Sequence, residues 1–220
     1  MKVVRAVGDR GAVAFDLDGC LIDSRPAILP SVRAALVSEG LPALPDGEIL
    51  WLIGPPLLTG FAELLARLGG DPAAAPRLLD AYRADYRETM FERTTAFPGM
   101  PEALAAVAAT RPVCVVTSKP APLAAALVDH LGLGSLLAFV EGPALDAGHE
   151  PKGVTLGRAM ASLDISVMVG DRHHDVDAGR QHGLRTVGVT WGIGSPDEFG
   201  EAGADHVVAT PEALVEALAG

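Results

Sequence analysis

Asp16 and Asp18 end the apolar run AVAF and precede Gly19, so two carboxylates stand two residues apart where a buried strand would finish. Charge is costly there, because a sheet interior solvates it poorly. In an open parallel sheet, however, ligands bind in the crevice beyond the carboxyl ends of the strands, which gives such a pair a use. A hard divalent cation would neutralise the pair and leave one carboxylate free to attack an electrophile that carries its own negative charge. The plainer reading is a solvated Asp-Gly turn closing a hairpin. It weakens once the other strand ends are compared.

Three more apolar runs end in, or lead to, polar groups of matching chemistry. After VCVV come Thr117, Ser118 and Lys119; Lys152 follows Pro151; after VMVG come Asp171, Asp175 and Asp177. A hydroxyl at a strand end can hydrogen-bond an anionic oxygen, as can adjacent backbone N–H groups. An ammonium offsets charge between a carboxylate and a phosphoryl group. The later acidic cluster completes an oxygen site for Mg²⁺, which favours few carboxylates, several waters and a substrate phosphate. Together these are the parts needed for phosphoryl transfer through an aspartyl-phosphate.

The elements that must position these groups are readable as well. Runs rich in Val, Ala and Ile recur at 12–15, 112–117, 136–142, 165–171, 185–190 and 206–210. Segments of helical period lie between the later ones: PAPLAAALVDHLG, GVTLGRAMASLD, HDVDAGRQHG and PEALVEALAG. Strands alternating with helices make βαβ units, hence an α/β fold whose parallel sheet carries helices on both faces. From about Pro26 to Arg93 the alternation stops, and AILPSVRAALVSEG, GFAELLARLGG and PRLLDAYRADYRETMFER are helical patterns. They predict a helical insert spliced in just after the first strand. FPGMPEAL marks the return, with Pro101 suited to a helix start.

Composition narrows the functional classes. The 220 residues suffice for one sizeable core with an appended lobe. A formal net charge of −11 argues against a nucleic-acid surface, which needs clustered Lys and Arg. No apolar stretch approaches the roughly 20 residues that span a bilayer, and MKVVRAVGDRG lacks the apolar segment of a signal peptide. Two cysteines, Cys20 and Cys114, make no disulfide framework, so a reducing cytoplasm is expected.

In their order and spacing, DLDGCLIDS, VVTSKP, PK and VGDRHHD resemble the four motifs of the haloacid dehalogenase (HAD) superfamily. The resemblance extends over nearly the whole chain. It implies a discontinuous Rossmann-like core, residues 1–25 and 94–220, with residues 26–93 as a C1-type helical cap. Carried over position by position, it implies that Asp16 is the nucleophile and that Asp18 is the general acid/base. Thr117 or Ser118 binds the transferring phosphoryl group, with Thr117 at the motif position, and Lys152 steadies Asp16. Mg²⁺ is held by Asp16, Asp171 and the backbone carbonyl of Asp18, with Asp175 binding the ion or one of its waters. Gly19, Cys20, Ser118 and Lys119 then border the substrate.

Asp18 matters for the reaction, since dehalogenases of the superfamily lack an acid there; its presence favours a phosphatase or phosphomutase. WLIGPPLLTGF together with TSKP looks most like the branch of phosphoglycolate phosphatases and nucleotidase-like relatives. The resemblance thus implies an Mg²⁺-dependent phosphomonoesterase acting on a small phosphorylated metabolite, as monomer or homodimer. A 5′-nucleotidase-like enzyme or a phosphomutase of the β-phosphoglucomutase type shares the core motifs. One position departs from the pattern: the residue after the motif glycine is usually Thr, and here it is Cys20. It either serves through its backbone N–H and fills space, or places an oxidisable thiol beside the nucleophile.

Other features have plainer readings. A receiver domain of signalling proteins uses similar groups, but in a different order and without a second Asp two residues on. His173 and His174, with His149 and His182, lack the spacing of a closed tetrahedral zinc site. WGIGS (191–195) lacks the third glycine of a dinucleotide loop and reads as a surface loop near the site. Tyr82 and Tyr86 fall at helical spacing and read as packing, while Arg25, Arg83 and Arg87 are candidates to meet a substrate's second anionic group.

Overall fold

The run before Asp16 forms β1 (Ala12–Phe15), a fully buried inner strand of a parallel sheet in the computed structural model, which describes residues 11–147 and 150–219. After β2 (Ile22–Asp23) and β3 (Thr95–Ala96), which form a separate two-stranded ribbon, the chain adds β4 (Val113–Val116), β5 (Val140–Glu141), β6 (Ile165–Gly170), β7 (Arg185–Val189) and β8 (His206–Val208). The sheet order is β5-β4-β1-β6-β7-β8, and every adjacent pair is parallel. Construction runs outward from β1 to β5, then restarts at β6 on the other side of β1. That reversal opens a crevice at the carboxyl ends of β1 and β6, the place where open α/β sheets bind ligands.

Period-two alternation divides each inner strand between two layers. Val13, Phe15, Val115 and Val169 face a cluster with Leu104 of α5 (Met100–Ala108), Leu127 of α6 (Ala121–His130) and Leu214 of α10 (Pro211–Ala219). Ala12, Ala14, Cys114 and Met168 face the opposite cluster, with Leu156 of α7 (Lys152–Ser162) and Ala178 of α8 (His173–Gln181). With both faces covered, the strands need not alternate with polar residues, which explains their near-continuous apolar sequences.

Between β2 and β3 the chain is helical: α1 (Arg25–Ser38), α2 (Asp46–Ile49), α3 (Leu57–Arg67) and α4 (Ala75–Arg93). Ile22 pairs with Ala96 and Asp23 with Thr95, so the segment leaves and re-enters at one point. Within it α4 packs on α1 and α3, with Phe61 edge-on to Tyr82 at 6.0 Å. Gly99, at φ 80°, turns the chain into α5, whose first turn carries Pro101 as expected.

Two elements differ from the sequence expectation. Of the run 136–142 only Val140–Glu141 is strand, because β5 is an edge strand and Pro143 soon removes a donor. A further helix, α9 (Pro196–Ala202), follows the glycine-rich loop; Ser195 caps it by accepting the N–H of Glu198 at 3.2 Å. Its Phe199 covers Gly188 of β7 so closely that a Cβ there would lie 2.6 Å from the ring. No helix among the described residues is long and apolar enough to cross a membrane.

Candidate active site

The carboxyl ends of three adjacent strands supply the site: Asp16 from β1, Thr117 from β4 and Asp171 from β6, each at most 2% exposed. Lys152 enters from the first turn of α7 and Asp175 from that of α8. The Lys152 ammonium lies 2.7 Å from Asp16 Oδ1 and also contacts Asp175 Oδ1. Burial opposes its charge, but the two carboxylates outweigh that and raise its pKa above the ordinary lysine value. Asp175 accepts the Arg172 N–H on its other oxygen at 3.0 Å, so it both caps α8 and fixes Lys152.

Asp16, Asp171 and Asp175 offer ligand oxygens within 4.8 Å of one another. Three carboxylates around one ammonium are under-neutralised. Burial pushes Asp16 up to about 7 despite Lys152, and raises Asp171 well above the carboxylate range. Asp171 Oδ2 accepts the Ile193 N–H at 2.9 Å, whereas its Oδ1 is buried without a hydrogen-bond partner. A bare buried carboxylate oxygen is expensive. The anionic, all-oxygen donor set fits a hard divalent cation that would satisfy it. Asp177 is not part of this set: it is exposed on α8 and groups with His173 and His174 instead.

Asp18 is turned away from that cluster. Both its oxygens accept from Lys119 Nζ at 2.8 Å, and the same ammonium sits 5.0 Å from the centre of the Tyr86 ring. The Asp18 side chain is therefore not among the ligands gathered at the Asp16 cluster. Lys119 lines the cavity above Asp18, as expected of a residue bordering the substrate, but its ammonium is engaged by Asp18. Burial works against its charge, yet Asp18 raises its pKa above the usual value. The Lys119 backbone N–H also donates to Thr117 Oγ1 at 3.1 Å, so Lys119 links Asp18 to that hydroxyl.

Gly19 and Cys20 do not present amides to a substrate. The Gly19 N–H donates to the Ile22 carbonyl at 2.9 Å and that of Cys20 to the Leu17 carbonyl at 3.3 Å. The role of Gly19 is steric: at φ 91°, a Cβ would lie 2.1 Å from Asp171 Oδ2. Cys20 is fully buried, and burial followed by Asp16, Asp171 and Asp175 raises its thiol pKa well above normal. It is a packed, protonated thiol rather than a reactive one. Cys20→Thr is accordingly expected to keep kcat/KM within about tenfold, or 1.4 kcal/mol in barrier. Inactivation by peroxide should proceed equally in both proteins; faster loss in the wild type would show that the thiol is reached.

The loop 191–194 is a part of the site that sequence reading placed at the surface. Gly194 is buried, its N–H donates to the Asp171 carbonyl at 2.9 Å, and Trp191 Nε1 donates to the Cys20 carbonyl at 2.9 Å. The alternating glycines of WGIGS were the available signal, since they admit a close backbone approach. At Gly192 a Cβ would lie 2.3 Å from the Gly19 carbonyl and 2.4 Å from Asp171 Oδ2. Gly192→Ala should cost about 1–3 kcal/mol of stability, as overpacking does, read from the urea midpoint. An unchanged midpoint would show that the loop yields freely.

Most of the remaining candidates have structural partners. Glu198 accepts from the His173 N–H at 2.7 Å, from Arg172 Nε at 3.0 Å, and pairs with His173 Nδ1 at 2.8 Å. Burial works to raise that carboxyl, but these bonds hold it down to about 2. Arg172 also donates to the Ile53 carbonyl at 3.0 Å, joining the core to the helical insert. His174 is pushed down to about 4 by burial and by His173 and Arg172, and so is neutral at pH 7. His182 meets the Gly153 carbonyl at 2.8 Å, and His149 lies outside the described residues. Arg25 pairs with Asp23 at 2.8 Å, and Arg87 is exposed on α4.

Above Asp16 and Asp18 lies a cavity of about 100 Å³ between sheet and insert, lined by Thr117 and Ser118 below and by Ile53, Tyr82, Arg83 and Tyr86 above. Tyr82 and Tyr86 are thus core residues, as expected, that also wall the site.

Comparison with known proteins bears on this arrangement. The family model "Haloacid dehalogenase-like hydrolase" matches residues 13–189. The chain is 36% identical over 215 residues to the tyrosine-protein kinase PtkA of Mycobacterium tuberculosis, spanning 94% of this chain and 72% of that protein. It is 32% identical over 211 residues to a 5′-nucleotidase of Pseudomonas aeruginosa, with 94% of each covered. A phosphoglycolate phosphatase of Pectobacterium atrosepticum is 31% identical over 197 residues, with 86% of this chain and 82% of that protein covered. The crystal structure of a predicted phosphatase from Clostridium acetobutylicum superposes with a TM-score of 0.87 at 28% identity, over 95% of this chain and 98% of that one.

Proposed function

This chain belongs to the haloacid dehalogenase-like hydrolase family and is a phosphatase of that kind, and we propose that it hydrolyses a small phosphorylated metabolite in the cytoplasm through an aspartyl-phosphate on Asp16. The observation that carries this reading is the convergence of Asp16, Asp18, Thr117 and Lys119 on one cavity floor, with Lys152 paired to Asp16 at 2.7 Å, from three separate parts of the chain.

An Asp16 carboxylate oxygen attacks phosphorus, the ester P–O bond breaks, and Asp18 gives its proton to the departing oxygen. Water then attacks the acyl phosphate, Asp18 takes the water's proton, and Asp16 is regenerated with release of phosphate. Lys152, fixed by Asp175, orients Asp16 and offsets charge, and the Thr117 hydroxyl meets a phosphoryl oxygen. Mg²⁺ on Asp16 and Asp171, with the Asp18 main chain and Asp175 beside them, would supply charge neutralisation between nucleophile and phosphoryl group. The insert, tied to the core through Arg172, excludes bulk water over the cavity.

The relatives named phosphoglycolate phosphatase and 5′-nucleotidase set the first esters to try. Phosphate release with Mg²⁺ should be measured over phosphoglycolate, nucleoside monophosphates, sugar phosphates and p-nitrophenyl phosphate. Turnover of at least one supports the reading, and none on any ester overturns it. The identity to PtkA favours a second reading in which a tyrosine replaces water as phosphoryl acceptor. Transfer from ATP to a tyrosine peptide, without free phosphate, would select it.

A further inference from the structure

The walls of the cavity above Asp16 and Asp18 are apolar, and we infer that the ester this site prefers carries an uncharged, apolar or aromatic alcohol, a refinement that rests on the phosphatase reading of the same site. Tyr82 and Tyr86, one turn apart on α4, stack at 5.2 Å with 15° between their planes and form one wall. Leu52, Leu58, Leu79 and Leu123 close the others.

Of the charged side chains lining the cavity, all but Arg83 are paired with an opposite charge. Lys119 binds both oxygens of Asp18. Arg83 donates to the Leu145 carbonyl at 2.9 Å, and Glu150 pairs with Arg158 at 2.7 Å. Arg25 is not among the lining residues. A carboxylate or second phosphate on the alcohol would give up its hydration against hydrocarbon along most of the wall, where Arg83, with one N–H already on the Leu145 carbonyl, is the single cation among the described lining residues without a carboxylate partner. A sugar would set several hydroxyls against leucines. An aromatic ring or alkyl chain meets none of these costs, and gains from each carbon it buries.

The test is steady-state kinetics of the full chain with Mg²⁺ on phosphoglycolate, glucose 6-phosphate, benzyl phosphate and the ethyl, butyl and hexyl phosphates. All release basic alkoxides, so their demand on Asp18 is alike. Benzyl phosphate should exceed phosphoglycolate in kcat/KM by at least about tenfold, and the alkyl series should rise about fourfold per methylene until the cavity is full. Leu79→Arg, which adds a cation to the wall, should shift the ratio of the two esters at least about tenfold toward phosphoglycolate. If that variant does not fold, the wild-type series decides alone. Preference for phosphoglycolate or glucose 6-phosphate, or a flat alkyl series, overturns the inference and leaves the phosphatase standing. No hydrolysis of any ester, p-nitrophenyl phosphate included, overturns both.

Discussion

Asp16→Asn is expected to lower phosphate release by about 10⁴-fold or more, since among the side chains gathered here only the Asp16 carboxylate is placed to form the covalent intermediate. An excess of chelator should do the same to the wild type, because three buried carboxylates are offset by a single ammonium. The fold should survive the substitution. Asn keeps the shape of Asp and removes one of three buried carboxylates, one whose charge is disfavoured by burial despite Lys152, and Lys152 keeps Asp175 as its partner. The melting temperature of the variant should therefore stay at or above that of the wild type. Substantial turnover by Asp16→Asn, or full activity in excess chelator, would sink the mechanism; a large fall in melting temperature would mean that lost activity reports lost structure.

The strand ends were legible because a parallel sheet covered on both faces demands unbroken apolar runs, so each acid or hydroxyl that ends one stands out. Asp16, Thr117 and Asp171 were found this way, and the 3.6-residue period located the helices that carry Lys152 and Asp175. What stayed hidden depends on contacts between distant positions. Lys119 is 101 residues from Asp18, and nothing local tells that its ammonium turns to that acid rather than to a substrate. The inward amides of Gly19 and Cys20 follow from the tight turn that brings Ile22 back onto Leu17. The loop 191–194 was read against a dinucleotide pattern when its glycines are required by the close passage of Asp171. For α9 the signal was present, since Ser195 followed by Pro, Asp and Glu is a helix start. Asp177 was grouped with Asp171 and Asp175 by proximity in sequence, but it lies two residues beyond Asp175 on α8 and so faces elsewhere.

The roles of the two N-terminal carboxylates can be separated through the leaving group. In the proposed mechanism Asp16 attacks phosphorus whatever the ester, whereas Asp18 is needed as an acid only when the departing oxygen is a poor leaving group. An alkyl phosphate releases a strongly basic alkoxide, and p-nitrophenyl phosphate releases a stable phenolate. Asp18→Asn should therefore slow phosphoenzyme formation from the alkyl ester by about 10²- to 10⁴-fold, and from the aryl ester far less. Asn retains an oxygen for the Lys119 ammonium, so the local geometry is largely kept. Because Asp18 also takes a proton from water in the second step, rapid-quench measurement of the first step is required; steady-state rates would fall for both esters and conceal the difference. The buried ammonium of Lys119, left facing a neutral amide, provides an internal control. If its strain rather than the missing acid were responsible, Lys119→Met in the Asp18→Asn background would restore the alkyl rate. Equal slowing of formation for both esters would show that Asp18 is not the general acid.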